Sequence, residues 1–220
     1  MKAICLIYLI FSLKVGYAHV PIFPDQKNLS KKFYTLQRPY EKSVALYTYL
    51  SKPKEMHLYE FYVEENDLKE GSVEILIGTL VPACPPLKNL LINWTLLGPK
   101  QDAINEALPD KLKEKISLED NQAARTMINK EQGSLWKEPY TSHYYFWQKR
   151  LTLRITKTGH YKIYLWATKD QIGDYVLEFG HKELWTLKDI LYTLWVYPKL
   201  LLEAEIQTPD CKTTSMIKNH

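Results

Sequence analysis

The sequence has no apolar run long enough to span a bilayer. Its most apolar stretch, residues 3–13, is 11 residues long, whereas a membrane-spanning helix needs about 20. Lys2 precedes this stretch and small residues follow it, which is the layout of a secretory signal peptide. We expect residues 1–18 to be a signal peptide cleaved after Ala18, although Lys14 near the cleavage site leaves an uncleaved form open. The mature chain would then be exported, periplasmic or extracellular, without an integral membrane span.

The chain also lacks a strong charge of either sign. It has 29 Lys and Arg against 25 Asp and Glu, and the excess of +4 falls to +2 once Lys2 and Lys14 leave with the signal. The two signs are interspersed, whereas proteins that bind nucleic acid concentrate basic residues. The composition therefore gives no support for nucleic acid or an anionic membrane as a partner.

Cysteine is scarce, which excludes a disulfide-rich scaffold. Of the three cysteines, Cys5 lies in the predicted signal, so Cys84 and Cys211 remain in the mature chain. In an exported protein these two can form a disulfide that ties the C-terminal segment to the middle of the domain. The alternative is two independent thiols, since sequence alone does not bring the Cα atoms within bonding distance.

No catalytic or nucleotide-binding signature is present. The sequence contains no G-x-S-x-G, no G-x-x-x-x-G-K-[ST], no H-E-x-x-H and no cysteine pair at zinc spacing. A triad assembled from distant positions would leave no such signature, so an exported hydrolase stays open. We expect a non-enzymatic protein without excluding an enzyme.

Tyr and Trp are plentiful, with 16 and 6 residues, and most lie in short runs separated by turn residues. Val44–Leu50 and residues 57–63 are rich in β-forming residues and are separated by a segment containing Pro53, so we predict two neighbouring antiparallel strands. Residues 72–80 predict a third strand. Residues 90–97 are almost continuously apolar, which is typical of a strand buried on both faces.

The second half of the chain resumes this pattern after residues 100–133. That segment is charged and has few aromatic residues, and we interpret it as a surface excursion of the same domain. Leu151–Ile155 and residues 161–167 and 175–179 are strand-like runs separated by glycine-containing turns. They predict an antiparallel meander.

Near the C-terminus the apolar period changes to that of a helix. Five side chains share one helical face: Leu187, Ile190, Leu191, Leu194 and Trp195. Thr186 predicts a capped N-terminus and Pro198 a stop. We predict one helix over residues 186–197 whose Leu191 and Trp195 pack into the core. A membrane-surface or partner-binding helix is the alternative.

The order of these blocks resembles a group of uncharacterised exported proteins of bacteria and archaea. The blocks are SVALYTYL, VPACPPLKNLLINWTLLGPK, EPYTSHYYFW and TGHYKIYLWATKDQIGDYVLEFGHKELW, and the resemblance covers most of residues 43–190. Trp185 stands where the pattern has Phe. The layout is similar to the pre-peptidase C-terminal β-sandwich class, which implies a fold and export but no activity.

The expected fold class is therefore mainly β, an antiparallel β-sandwich of jelly-roll or pre-peptidase C-terminal type with one C-terminal amphipathic helix. Residues 19–205 would form a single sandwich domain, because the 202 residues left after signal removal suffice for one full core. Residues 206–220 would form a flexible tail.

The aromatic block PYTSHYYFW offers a candidate ligand-binding surface. Tyr and Trp rings on an exposed sheet face can stack on sugar rings and offer polar edges to sugar hydroxyls. Four residues are candidates for binding a glycan or another cell-envelope component: Tyr140, Tyr144, Tyr145 and Trp147. The alternative is that these rings build the core, since the chain has only 6 Phe.

Cleavage after Ala18 would leave His19 at the N-terminus with a free α-amine. The amine and a ring nitrogen of one histidine can chelate Cu(II), and a second imidazole completes a three-nitrogen site like the histidine brace of secreted copper proteins. His143 in the aromatic block is the first candidate for this second ligand. Copper binding through His19 and His143 is the alternative function, against a solvated His19 that binds nothing.

Overall fold

The computed structural model describes residues 19–138, 143–201, 206–208 and 211. These residues form twelve β-strands and two α-helices. The elements are β1 (Val20–Ile22), β2 (Tyr34–Thr35), β3 (Val44–Leu50), β4 (Met56–Val63), β5 (Val73–Pro82), β6 (Ile92–Pro99), α1 (Asp110–Lys113), β7 (Gln122–Met127), β8 (Leu135–Lys137), β9 (Tyr144–Trp147), β10 (Leu151–Ile155), β11 (Gly159–Ala167), β12 (Gly173–Phe179) and α2 (Leu187–Leu201).

The strands form two sheets with a common core between them. Sheet A has seven strands in the order β1-β3-β12-β5-β9-β8, with β10 also paired to β5. Sheet B has five strands in the order β2-β4-β11-β6-β7. Pairing is antiparallel except at one edge of each sheet, where β1–β3 and β2–β4 are parallel. The prediction of a mainly β, antiparallel sandwich with one C-terminal helix is confirmed.

Alternation along each strand determines which side chains enter the core. In β3, Leu46 and Leu50 belong to the core between the sheets, whereas Ala45 and Tyr47 belong to a second apolar cluster on the outer face of sheet A. In β6, Trp94 is fully buried between the sheets. The strand predicted over residues 90–97 is β6, Ile92–Pro99, and it is buried on both faces as predicted.

The prediction of which strands pair was wrong in two places. β3 lies in sheet A and β4 in sheet B, so these consecutive strands are not neighbours. β10, β11 and β12 likewise lie in sheets A, B and A, and they form no meander. The physical reason is that each apolar strand face is buried better against the opposite sheet, and short connections can arch across the core as readily as they close a hairpin.

The charged excursion covers the outer face of sheet B. Leu108 and Leu112 pack there with side chains of sheet B, in a third apolar cluster that includes Tyr164 and Trp166. This cover is the reason that β6 is buried on both faces. β7 pairs with β6 and was not predicted, because its sequence QAARTM has no large aliphatic or aromatic alternation.

The C-terminal helix forms as predicted at its start and differs at its end. Thr186 and Asp189 make a reciprocal cap, with the Thr186 N–H donating to the Asp189 carboxylate at 2.7 Å and the Asp189 N–H donating to the Thr186 hydroxyl at 3.3 Å. α2 continues to Leu201, with Pro198 inside it. Proline at this position removes only the hydrogen bond to the carbonyl of Leu194, and the helix extends for one more turn.

The predicted burial of the apolar stripe of α2 was wrong. Leu191 and Trp195 are 59% and 79% exposed, whereas Thr193, Val196 and Leu200 are buried. Asp189 shares that inner face and is paired with Lys42, which fixes the rotation of the helix about its axis. No helix in the described part of the chain is long and apolar enough to cross a membrane.

The segment after α2 packs onto the sandwich where the structure describes it. The Gln207 and Thr208 N–H groups donate to the Asp174 carboxylate at 2.8 and 2.6 Å. Cys84 and Cys211 form a disulfide with Cα atoms 5.4 Å apart. The expected tail boundary at residue 206 thus falls in a stretch with buried side chains at residues 206, 208 and 211.

Candidate functional site

His19 lies on the outer face of sheet A in a cluster of polar side chains. Its Nδ1 bonds the hydroxyl of Ser43, which directly precedes β3. Its Nε2 is 3.3 Å from a carboxylate oxygen of Glu178 on the neighbouring strand β12. Arg150 donates to the same oxygen at 3.1 Å, and its guanidinium stacks 3.7 Å from the centre of the Trp147 ring.

Burial shifts the two titrating groups of this cluster in opposite directions. Desolvation and, to a smaller extent, the positive charge of Arg150 together lower the pKa of His19 to about 4. Desolvation raises the pKa of Glu178 to about 7, against the opposing effect of Arg150. Between these values His19 is neutral and Glu178 is protonated, so the pair holds one proton and no net charge.

Ser43, His19 and Glu178 contain the residue types of a hydrolase triad, but their setting is not that of a nucleophile. Ser43 is 4% exposed. Its N–H donates to the carbonyl of Lys182, so it offers no donor to an oxyanion. The cavity beside His19 has a free volume of about 10 Å³, about enough for one water molecule. The arrangement fits a buried polar anchor for the start of β1.

The aromatic block divides between the two faces of β9. Tyr144 is 37% exposed, whereas Tyr145 is 2% exposed and Trp147 is half-buried. Alternation puts Tyr145 and Trp147 on the face opposite Tyr144, and both pack against Trp136. Tyr140 lies outside the described residues. The described members of the predicted ligand-binding set therefore do not share one exposed platform.

The other histidines of the described chain are dispersed. His57 is fully buried and bonds the Tyr175 hydroxyl at 2.7 Å, and His160 pairs with Glu60 on sheet B. His143 is half-buried beside β9, and its carbonyl accepts the Glu138 N–H at 2.8 Å. Within the described ranges, no three His, Cys, Asp or Glu side chains are grouped so as to hold a metal ion.

A larger groove lies on the outer face of sheet B, where no site was predicted. Its volume is about 500 Å³. It runs between the β3–β4 turn and the segment after α1, and its lining residues are Ser30, Phe33, Lys52, Pro53, Lys54, Glu55, Met56, Leu58, Lys115, Ile116 and Tyr164. A second cavity of about 280 Å³ adjoins the groove at Phe33, and its lining includes Asp25, Lys32 and Tyr34.

The β3–β4 turn at the edge of this groove is held by one carboxylate. Glu55 accepts hydrogen bonds from the Ser51 hydroxyl at 2.9 Å and from the Lys52 N–H at 3.0 Å. Burial alone would raise the pKa of Glu55, but the nearby His57 imidazole, 3.8 Å away, and the hydrogen bonds from Ser51 outweigh it and lower the pKa to about 2. Glu55 is thus an anion held by the backbone and hydroxyl of its own turn. Lys54, in the same turn, has a left-handed backbone conformation (φ 64°).

Aromatic rings and lysines shape the rest of the groove. Phe33 packs edge-on against Tyr164 with ring centres 5.6 Å apart, and the Lys162 ammonium is 5.3 Å from the Phe33 ring centre. Three lysines on the rim are exposed: Lys52, Lys54 and Lys115. The two lysines of SKPKEM could have suggested one wall of the groove. The opposite wall, at Lys115, lies more than sixty positions further along the chain.

Comparison with known proteins adds little about function. No protein-family model matches the chain, and no curated protein matches it. Among solved structures, the pre-peptidase C-terminal domain of a collagenase from Bacillus anthracis is similar, at 13% identity and a TM-score of 0.34, with 74% of this chain and 98% of that chain covered. That domain belongs to the class whose layout the sequence blocks resemble, and we draw no functional conclusion from it.

Proposed function

We propose that the protein is an extracytoplasmic, non-enzymatic β-sandwich module that binds an acidic glycan of the cell envelope in the groove on sheet B. The observation that supports this proposal is a groove of about 500 Å³ that combines an aromatic wall with three exposed lysines on its rim. Ligand-binding clefts usually measure about 300 to 1,000 Å³.

The wall of the groove suits the apolar face of a sugar ring. Phe33 is half-buried and Pro53 is exposed, so both offer carbon surface to a ligand, with Tyr164 behind Phe33. The adjoining cavity past Tyr34 lengthens the site along the sheet. A groove that continues beyond one ring favours an extended chain over a single small molecule.

The charge of the rim points to an acidic ligand. Lys52, Lys54 and Lys115 are exposed, and Glu55, the one acid of the lining, is engaged with the backbone of its own turn. The local balance is therefore positive although the whole chain is nearly neutral. Glycoside hydrolysis usually needs two carboxylates, one on each side of the scissile bond. The lining of the groove offers Glu55 alone, and its carboxylate is already hydrogen-bonded to the turn, which argues against hydrolysis.

Binding to polygalacturonate, compared with neutral dextran, tests the proposal by affinity electrophoresis at several salt concentrations. We expect retardation by polygalacturonate that weakens with salt, and a loss of about tenfold or more in affinity for a Lys52→Gln, Lys54→Gln double variant. Lys88→Gln, at an exposed lysine outside the groove, is the matched control.

Two results would contradict the groove as the site. One is equal retardation of the double variant and the wild type. The other is loss of binding in Tyr144→Ala or Trp147→Ala while the lysine double variant binds as the wild type does. That result would assign the binding site to the aromatic block instead of the groove. If the protein bound neither polygalacturonate nor dextran, an acidic uronate would be refuted as the ligand.

A further inference from the structure

Helix α2 exposes its most apolar face. Leu187, Leu191 and Trp195 are 70%, 59% and 79% exposed, and Leu194 between them is 42% exposed. These four side chains form one continuous stripe along the helix, here called the α2 stripe. Within the described residues, nothing covers it. Isolated exposed leucines are ordinary, but a row of three with a tryptophan marks an interaction surface.

The outward direction of the α2 stripe is fixed by the opposite side of the helix. Asp189 pairs with Lys42, and Val196 and Leu200 are buried, the latter in the cluster on the outer face of sheet A. Rotating α2 to bury the stripe would break this ion pair and expose Val196 and Leu200. The exposure is therefore a property of the folded domain.

We propose that the α2 stripe lies on a lipid bilayer, with the helix axis parallel to the membrane surface. A helix of 15 residues extends for about 22 Å at 1.5 Å per residue, which is long enough for an interfacial helix and too short for a span. Leu and Trp side chains on the exposed face are the apolar residues that such helices place in the membrane interface. Tyr192, 38% exposed beside the stripe, is an aromatic residue of the kind enriched at membrane interfaces.

The chain outside the described residues supports a lipid occupant. Residues 1–18 contain the apolar stretch of the predicted signal peptide, and they join the structure at His19, next to β1. α2 packs against β1. A precursor held in the membrane by residues 1–18 would therefore have the α2 stripe close to the same bilayer surface when the domain folds.

Charge and spacing also favour lipid over a second copy of the chain. Lys188 of α2 is exposed, and Asp189, the one acid in the sequence of the helix, is already paired with Lys42, which suits anionic headgroups. Leu187, Leu191 and Leu194 have the spacing of a coiled-coil seam, but Pro198 occupies the next seam position. A seam of less than two heptads that ends in proline is a poor basis for a stable helix pair.

Vesicle partitioning tests the proposal, using protein exported and processed from the full-length chain. We expect it to sediment with vesicles of phosphatidylcholine mixed with phosphatidylglycerol, and less with phosphatidylcholine alone. Leu191→Ser and Trp195→Ser should each reduce the partition coefficient by about tenfold or more. Ile172→Ser, at an aliphatic residue that is 46% exposed in the β11–β12 connection, is the matched control and should have no effect.

A second readout reports the depth of one side chain. Brominated phosphatidylcholine should quench the tryptophan fluorescence of the wild type, and the quenched fraction should fall in Trp195→Phe. Thermal unfolding of each variant checks that the domain is intact, which we expect because the replaced side chains are exposed.

Three outcomes would overturn the proposal. The first is no partitioning, or partitioning that the two stripe variants leave unchanged. The second is a tryptophan signal that brominated lipid quenches equally in Trp195→Phe and the wild type. The third is a dimer in sedimentation velocity that Leu191→Ser dissociates while vesicles have no effect, which would assign the stripe to a second copy of the chain.

Discussion

The His19–Glu178 pair should give two single variants opposite dependences of stability on pH. The perturbations are Glu178→Gln, which keeps a hydrogen-bonding amide, and His19→Gln, which removes the imidazole. A pKa that rises from 4.5 to about 7 for Glu178 corresponds to about 3 kcal/mol, at about 1.4 kcal/mol for each pH unit. The fall of the His19 pKa from 6.5 to about 4 has a similar size.

The two contributions have opposite signs. Since the pKa of Glu178 is raised by folding, its contribution to the free energy of unfolding is fully present below pH 4.5 and is lost as pH rises to about 7. Since the pKa of His19 is lowered by folding, its contribution is present above pH 6.5 and is lost as pH falls to about 4. Between pH 4.5 and 6.5 the two slopes nearly cancel in the wild type.

Urea unfolding followed by circular dichroism from pH 4 to pH 8 measures these slopes as free energies of unfolding. Relative to the wild type, Glu178→Gln should gain stability by about 3 kcal/mol as pH rises through this window, because only the histidine contribution remains. His19→Gln should lose a similar amount, because only the carboxyl contribution remains. Two variants with profiles parallel to that of the wild type would refute the reasoning, since neither group would then titrate differently on folding.

Three further predictions concern the helix, the disulfide and copper. Leu200→Ala should lower the free energy of unfolding by about 2 to 5 kcal/mol, since the side chain is buried. Leu191→Ala should be nearly neutral, because that side chain is exposed. Equal effects of the two variants in urea unfolding would contradict the observed orientation of α2. Thiol titration of the denatured, non-reduced protein should detect neither Cys84 nor Cys211. Reduction of the disulfide should lower the free energy of unfolding by about 4 to 5 kcal/mol, in the chain-entropy treatment of a long loop. Two titratable thiols would contradict the disulfide. Copper titration of protein that begins at His19 should show no tightly bound Cu(II), because Ser43 and Glu178 already engage the ring nitrogens of His19. One tightly bound Cu(II) that is lost when one residue precedes His19 would instead support the brace.

Strand positions could be predicted from the sequence, but strand partners could not. Val44–Leu50 and Leu151–Ile155 were predicted with the bounds that the structure gives, because alternation and β-forming residues are local signals. The partner of β3 depends on whether the SKPKEM segment closes a hairpin or arches to the other sheet. Both paths suit a short turn with proline, and only burial of the whole sandwich decides between them.

The orientation of α2 shows the same limit for a helix. Periodicity located the stripe of Leu187, Leu191 and Trp195 correctly, but it could not show which side of the helix faces the protein. That side is set by the pairing of Asp189 with Lys42, which are 147 positions apart. The less apolar face is buried because the Asp189–Lys42 ion pair forms on that side and Val196 and Leu200 are buried there.

The candidate sites depended still more on tertiary structure. His19 could be singled out from the cleavage site, but its contacts with Ser43 and Glu178 require β3 and β12 to be neighbours. The groove on sheet B brings Phe33, Lys54 and Lys115 together from three connections. None of these residues belongs to a motif, and the two lysines of SKPKEM mark only one wall, so no sequence pattern could have identified the whole site.

The two proposed surfaces share no residue, although α2 comes close to the cavity beside the groove. α2 covers part of the outer face of sheet A through Leu200, whereas the groove opens on the outer face of sheet B beside Tyr164. Burial and the neighbouring Tyr192 of α2 raise the pKa of Tyr34, which lines the second cavity. A bilayer that contacts the α2 stripe would replace none of the side chains that line the groove, and its anionic headgroups would repel an acidic polymer only within about a Debye length. Lipid and glycan should consequently bind without competition for any side chain, and loss of polygalacturonate binding when vesicles are added would contradict this independence.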